Sequence, residues 1–200
     1  RNSKVKMSNI ILASSSIYRK ELLERLIPKF EIISPNIDES LVEGEDAKTT
    51  SLRLALLKAE KVSSENKDAF VVGSDQTAQF NNIQIKKPNN YHDAFDQLLL
   101  LSGKVVFFYS AVCVLQSNSL IKYEAIETIE VKYKNITKSE AELYLKYEDP
   151  LGCLGCIKSE GLGISLLEYV NSSDPTAIIG MPLISLSKIF NSLEIKFHAK

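Results

Sequence analysis

The stretch over residues 9–26 most constrains what this chain can fold into. It begins with the apolar residues Ile10 to Leu12, passes through three consecutive serines at 14–16, and continues into a basic segment around Arg19. This order predicts a strand, a turn and then a helix. Such a turn directs backbone N–H groups, the positive end of the helix dipole and a guanidinium at one spot, which suits a phosphate. The alternative is that Ser16 only caps a surface helix.

No GxxxxGK[ST] motif occurs, so the turn is not a P-loop.

The length of 200 residues, with 44% hydrophobic and 24% charged residues, predicts one domain spanning residues 1–200 with a sizeable core. We expect residues 1–8 to be a tag or a disordered tail.

The formal net charge of −1 gives no global basic field, so we expect no nucleic-acid partner. No apolar run approaches the roughly 20 residues of a membrane span, and no signal peptide is recognisable, so we expect no membrane partner. The three cysteines cannot all pair, which also favours a reducing compartment. We therefore expect a cytoplasmic protein.

The middle of the chain predicts a helix and a buried strand. Residues 47–64 carry apolar residues at helical spacing, with Lys58 at the edge of the apolar stripe. Residues 69–73 form a short apolar run that predicts a buried strand delivering Asp75 and Gln76 at its carboxyl end. Ligands gather at that end of open α/β sheets, so Asp75 is a candidate functional residue.

The second half predicts a long hairpin from residues 104–115 and 121–133, and a helix opened by the capping box of Thr137 and Glu140. We expect a glycine-rich binding loop over 152–163, strands over 164–170 and 177–179, and a final helix ending near residue 191.

Cys153 and Cys156 form a CxxC pair, which invites a zinc or redox interpretation. A structural zinc site needs four ligands, and a redox pair normally opens a helix, whereas this pair lies between a proline and glycines, so both interpretations are disfavoured. We predict that these cysteines are small buried thiols.

Polar residues at predicted strand ends and on flanking helices form one candidate set. Its members are Ser14, Arg19, Glu39, Lys58, Asp75 and Lys87. Three cations and two carboxylates suit a nucleoside triphosphate with a divalent metal, because the carboxylates can hold the metal and the cations absorb phosphate charge.

Eight short motifs in order resemble the Maf family, the septum-formation-inhibitor-like nucleoside triphosphate pyrophosphatases, and within it the 7-methyl-GTP pyrophosphatase branch. The motifs are LASSSIYRKELLERL from Leu12, IDE from Ile37, RLALLKA from Arg53, GSDQ from Gly73, KP at Lys87, LSG from Leu101, KSEG from Lys158 and GMPL from Gly180. The similarity runs from about Ile10 to Leu193, nearly the whole chain.

The resemblance implies an α/β fold of the inosine-triphosphatase-like kind, with an elongated, curved mixed sheet flanked by helices and two lobes around a central cleft. It implies a house-cleaning hydrolase that cleaves a nucleoside triphosphate between the α and β phosphates with Mg²⁺ or Mn²⁺, and it admits a homodimer. Asp75 matches the proton acceptor, and Glu39 the second acidic residue, so both are expected metal ligands. Ser14, Arg19, Lys58 and Lys87 match phosphate-contacting positions.

Three positions differ from the dTTP/UTP branch of the family: Tyr18, Gln76 and Glu160. The resemblance implies that these positions set the choice of base. N7-methylation makes guanine cationic, so an aromatic face and a carboxylate favour it, while Gln76 offers amide hydrogen bonds. The branch generally has tryptophan where this chain has Tyr18. Two alternatives stay open, a dTTP/UTP pyrophosphatase and a non-catalytic nucleotide-binding regulator of cell division.

Overall fold

Runs of β-branched and aromatic residues build a mixed sheet through the centre of the molecule. The computed structural model describes residues 9–197, so the tail expected over residues 1–8 lies outside the described residues. The strands are β1 (Ile10–Ala13), β2 (Glu31–Ile33), β3 (Phe70–Phe80), β4 (Ile83–Gln84), β5 (Val105–Gln116), β6 (Ile121–Tyr133) and β7 (Leu167–Asn171). Their order is β2-β1-β3-β5-β6-β7, with β4 paired to β3. β1 is parallel to β2 and β3, whereas the other pairs are antiparallel.

Within residues 9–197, five α-helices flank the sheet, and four of them begin at a side-chain cap. The helices are α1 (Ile17–Glu24), α2 (Ala47–Ser63), α3 (Tyr91–Leu101), α4 (Lys138–Tyr147) and α5 (Leu183–Ser192). Ser16, Asp46, Asn90 and Thr137 each accept a hydrogen bond from a backbone N–H in the first turn, which satisfies one of the unpaired donors there. The predicted capping box at α4 is confirmed. Within the described residues, every helix is too short or too polar to cross a lipid bilayer.

Alternating side chains of the central strands divide the core between the two faces of the sheet. Leu12 and Val72 pack in one cluster with α1 and α5, while Ile11 and Val71 pack in another with α2. A third cluster around Phe108 joins α3 and α4 to the far part of β5 and β6. Both faces of the central strands are covered by helices, and the side chains on both faces are apolar. This is the pattern predicted for a buried strand.

Gly73 brings α2 unusually close to β3. A Cβ atom at this position would lie 2.2 Å from the carbonyl oxygen of Ala55 and 2.9 Å from the Cβ of Ala59. Only a residue without a side chain fits there, so the glycine sets the distance between helix and strand. Lys58 lies on α2 between these two alanines.

Three predicted strands differ from the structure: one is longer, one is shorter and one is a 3₁₀ turn. The strand predicted to end at Gly73 continues to Phe80, because antiparallel pairing with β5 extends to Gln79 although parallel pairing with β1 stops at Gly73. Asp75 therefore lies inside a strand, just beyond the end of its neighbour β1. The segment Ala177–Ile179 is a 3₁₀ turn rather than a strand.

The strand predicted over 164–170 begins only at Leu167, because Leu162–Leu166 forms a 3₁₀ helix. In the two 3₁₀ segments, backbone hydrogen bonds join residues three apart in place of the pairing that a strand needs. One example is the bond from the N–H of Gly180 to the carbonyl oxygen of Ala177.

Candidate active site

A cleft of about 840 Å³ opens where β1 ends beside β3. This volume lies within the usual range for small-molecule sites. All nine residues singled out in the sequence line this cleft: Ser14, Tyr18, Arg19, Glu39, Lys58, Asp75, Gln76, Lys87 and Glu160. The structure thus brings together side chains from six separate parts of the chain.

Lys58 links the two carboxylates at the floor of the cleft. Its Nζ atom lies 2.6 Å from Oδ1 of Asp75 and 2.9 Å from Oε1 of Glu39. Lys58 and Asp75 are each only 5% exposed, whereas the side chain of Glu39 is half exposed. A buried ammonium and a buried carboxylate are tolerated because each is paired with the other. The pair fixes the direction in which Asp75 faces.

Arg19 approaches the same carboxylate from the start of α1. Its Nη2 atom lies 4.0 Å from Oδ1 of Asp75, and its Nε donates to the carbonyl oxygen of Gly180 at 3.1 Å. The hydroxyl of Ser74 donates to the same carbonyl at 3.2 Å. The backbone at Gly180 therefore holds the guanidinium in a fixed orientation beside Asp75.

The turn between β1 and α1 has the predicted form. The Oγ atom of Ser14 accepts from the backbone N–H of Ser16 at 3.1 Å, and the Oγ of Ser16 accepts from the N–H of Arg19 at 3.4 Å. This arrangement sets the N-terminus of α1 at the wall of the cleft, where a helix end favours an anion. Lys87 is exposed on the segment after β4 and adds a further positive charge to the lining.

Glu39 and Asp75 are the two carboxylates of the cleft that meet at Lys58. Among residues 9–197, no group of three or more histidine, cysteine, aspartate or glutamate side chains is placed to hold a metal ion. Mg²⁺ and similar hard cations are commonly held by one or two carboxylates together with substrate phosphates and water. Two carboxylates in contact with Lys58, in a cleft that Arg19 and Lys87 also line, fit such an ion.

Gln76 is anchored by the backbone on the side of the cleft opposite α2. Its Nε2 donates to the carbonyl oxygens of Ala177 and Ile178 at 3.0 and 2.9 Å. Because both hydrogens of the amide nitrogen are engaged, the two carbonyls fix which way the amide points. The oxygen Oε1 is then the atom of Gln76 that can accept a hydrogen bond from a ligand.

Tyr18 lies near Cys153, Lys158 and Glu160. Burial raises the pKa of the Tyr18 phenol most, and the charge of Lys158 opposes that shift in pKa while Glu160 adds to it. The phenol therefore stays neutral at neutral pH, and its ring is available as an uncharged aromatic surface.

Residues 9–193 match the family model described as Maf-like protein. The chain belongs to the Maf family. A protein of Cupriavidus metallidurans, named 7-methyl-GTP pyrophosphatase, is 44% identical over 178 residues, which cover 89% of each chain. Proteins with the same name from Ralstonia nicotianae and Polaromonas sp. are 43% and 40% identical and cover 95% of this chain.

The fold of this Maf protein is similar to that of a solved protein of low sequence identity. The structure of the Staphylococcus aureus Ham1 protein matches with a TM-score of 0.53 at 13% identity, covering 94% of this chain and 98% of that one. This likeness confirms the predicted inosine-triphosphatase-like α/β fold, with its mixed sheet flanked by helices.

Cys153 of this Maf protein was wrongly predicted to be a buried thiol. Cys156 and Cys113 are buried, and burial raises the pKa of each to about 12. Cys153 is only partly buried and lines the cleft beside Tyr18. The positive φ angles of Gly155 and Cys156 interrupt the 3₁₀ turn, so the two cysteines of the CxxC pair occupy different surroundings.

Sequence reasoning also missed the backbone carbonyls at residues 177, 178 and 180. These oxygens hold Gln76 and Arg19 in place, yet they belong to residues whose side chains carry no polar group. The only sequence signal near them is the GMPL motif that begins at Gly180.

Proposed function

We propose that this Maf protein hydrolyses 7-methyl-GTP between its α and β phosphates, giving 7-methyl-GMP and pyrophosphate. Curated relatives at 40 to 44% identity are named for this activity. The observation that carries the proposal is the position of Asp75, which is buried against Lys58 and Arg19 at the floor of the cleft. An oriented carboxylate can accept a proton from the attacking water, while the neighbouring cations balance charge on the phosphates.

In the proposed reaction, a water molecule attacks the α phosphorus while Asp75 accepts one of its protons. A bond forms between the water oxygen and the phosphorus, and the bond from that phosphorus to the bridging oxygen breaks, so pyrophosphate leaves. Lys58, Arg19 and Lys87 balance the negative charge that gathers on the phosphate oxygens. Ser14 and the N-terminus of α1 orient the phosphates by hydrogen bonding.

Glu39 and Asp75 are the residues that we propose to hold the divalent cation, Mg²⁺ or Mn²⁺, that the family implies. When bound, such a cation supplies neutralisation of phosphate charge and a lowered pKa for water. Lys58, which contacts both carboxylates, keeps the two donors side by side and prevents their mutual repulsion from separating them.

We propose that base selection comes from Tyr18, Gln76 and Glu160. A cationic 7-methylguanine is attracted to the face of an aromatic ring and to a carboxylate. The Oε1 atom of Gln76 can accept from the N–H groups on the guanine edge, since its own amide hydrogens are engaged elsewhere.

The test is pyrophosphate release from 7-methyl-GTP, GTP, dTTP, UTP and CTP with Mg²⁺ or Mn²⁺. We expect a strong preference for 7-methyl-GTP, and a loss of about 10³-fold in kcat for Asp75→Asn, in the range of general-base contributions. Asp96→Asn is the matched control, because Asp96 is exposed on α3, and it should retain full activity.

Three outcomes would contradict parts of this proposal. Preference for a pyrimidine would favour the dTTP/UTP alternative and overturn the base assignment. Nucleotide binding without turnover would favour the regulator of cell division. Undiminished turnover by Asp75→Asn would refute the role of Asp75.

We also propose that the chain acts as a single domain, because one sheet runs through the described residues. A cytoplasmic location and a homodimer stay predictions. Sedimentation of the purified protein would test the homodimer.

A further inference from the structure

Glu148 follows the last residue of α4. Its carboxylate contacts the loop that carries Glu160 at one point before Glu160 and at one point after it. Its Oε1 lies 2.9 Å from Nζ of Lys158, and its Oε2 accepts from the backbone N–H of Leu162 at 3.0 Å. These two anchors lie two residues before and two residues after Glu160. Glu148 does not line the cleft, and only 13% of its side chain is exposed.

The loop is wound tightly around this carboxylate. The backbone N–H groups of Gly161 and Gly163 both donate to the carbonyl oxygen of Lys158, at 3.0 and 3.1 Å. A Cβ atom at Gly161 would lie 2.4 Å from Oε2 of Glu148, so a side chain there would displace the carboxylate from this position. Glu160 is the exposed residue at the tip of the loop, and its position follows from these contacts.

Glu148 also balances a charge beside the base-recognition residues. Lys158 and Glu160 both lie near the phenol of Tyr18, where they shift its pKa in opposite directions. An unpaired ammonium at Lys158 would repel a cationic base or form an ion pair with Glu160. The hydrogen bond from Lys158 lowers the pKa of Glu148, and Glu148 raises the pKa of Lys158, so both stay charged at neutral pH.

We propose that Glu148 is a positioning residue for base selection. It holds the loop so that Glu160 faces the cleft, and it pairs with the ammonium of Lys158. The negative charge of Glu160 is then free to attract a cationic purine. This inference rests on the proposed function. It assigns no contact between Glu148 and the substrate. The predicted effect is therefore on discrimination between bases rather than on the chemical step.

The test compares kcat and KM for 7-methyl-GTP and GTP in the wild-type enzyme and in Glu148→Gln. Glutamine can still accept from the N–H of Leu162 but loses the ion pair. We expect the ratio of kcat/KM for 7-methyl-GTP over GTP to fall about tenfold, through KM, which corresponds to the lower end of the range for one charge-assisted hydrogen bond. We expect kcat to stay near the wild-type value for both substrates.

A second change separates the charge from the scaffold. Lys158→Met in the Glu148→Gln background removes the unpaired ammonium, so it should restore much of the ratio. Glu142→Gln, an exposed residue on the same helix, is the matched control and should leave the ratio unchanged.

The outcomes distinguish this inference from the proposed function. Wild-type enzyme that does not prefer 7-methyl-GTP would overturn the proposed function itself. If the wild type prefers 7-methyl-GTP while Glu148→Gln keeps the wild-type ratio, only the role of Glu148 is overturned. A fall in kcat/KM that is equal for both substrates and is not rescued by Lys158→Met would indicate a merely structural role and would also overturn it.

Discussion

Replacing Gly73 by alanine is expected to destabilise the protein and to slow turnover together. The added Cβ would lie 2.2 Å from the carbonyl oxygen of Ala55 and 2.8 Å from the backbone nitrogen of Ala59. Both atoms belong to the backbone of α2, so no side-chain rotation relieves the overlap. Restoring van der Waals contact requires the helix to move away from β3 by about 1 Å.

The size of both effects follows from this displacement. Overpacking of this kind costs about 1–3 kcal/mol in free energy of unfolding. At an unstrained site the same substitution would stabilise by about 0.4–1 kcal/mol, because alanine restricts the unfolded chain. Since Lys58 lies on the displaced turn, its Nζ should leave the 2.6 Å contact with Asp75, and a misplacement near 1 Å can cost about 10²-fold in rate.

The measurements are urea unfolding followed by circular dichroism, and kcat for pyrophosphate release at saturating 7-methyl-GTP. Gly152→Ala is the matched control, because a Cβ atom there would meet nothing within 4 Å. We expect this control to retain the stability of the wild type. Because Gly152 lines the cleft, the control for kcat is Asp96→Asn instead. If Gly73→Ala also retained both, the close approach of α2 would not be what positions Lys58, and the reasoning would be refuted.

Two further predictions follow from charged groups. Lys58→Met should lower the free energy of unfolding by about 3 kcal/mol, because it leaves the buried carboxylate of Asp75 without its closest partner. Adding Asp75→Asn should recover most of that loss in urea unfolding, whereas additive losses would contradict the pairing. Hydrogen bonds from Thr137 lower the pKa of Glu140 from 4.5 to about 2. Its contribution to stability is therefore present above pH 4.5 and lost as the pH falls toward 2. NMR titration of the Glu140 carboxyl should give that low midpoint, and a midpoint near 4.5 would contradict it.

Local elements of the fold were predictable because their signals act within a few residues. The serine turn before α1 and the Thr137 capping box of α4 are formed as expected. The boundary at Gly73 was not predictable, because β3 continues past it through pairing with β5, more than 25 residues away along the chain. The strand predicted over residues 177–179 failed because a short apolar run does not distinguish a strand from a 3₁₀ turn.

The candidate site was predictable as a set of residues, through motifs that resemble the Maf family, but their catalytic and binding roles stay predictions. Sequence alone placed Lys58 only at the edge of an apolar stripe. The structure places its ammonium between Asp75 and Glu39 and buries it.

The sequence by itself determined the residue types that line the cleft, the helix caps and the family to which the chain belongs. Only the tertiary structure decided how these residues meet: which carbonyls hold Arg19 and Gln76, how closely α2 approaches Gly73, and that Glu148 holds the loop of Glu160. The physical reason is that side-chain patterns encode local conformation and burial. Contacts to backbone atoms more than 100 residues away depend on how the whole chain packs, as between Gln76 and Ile178.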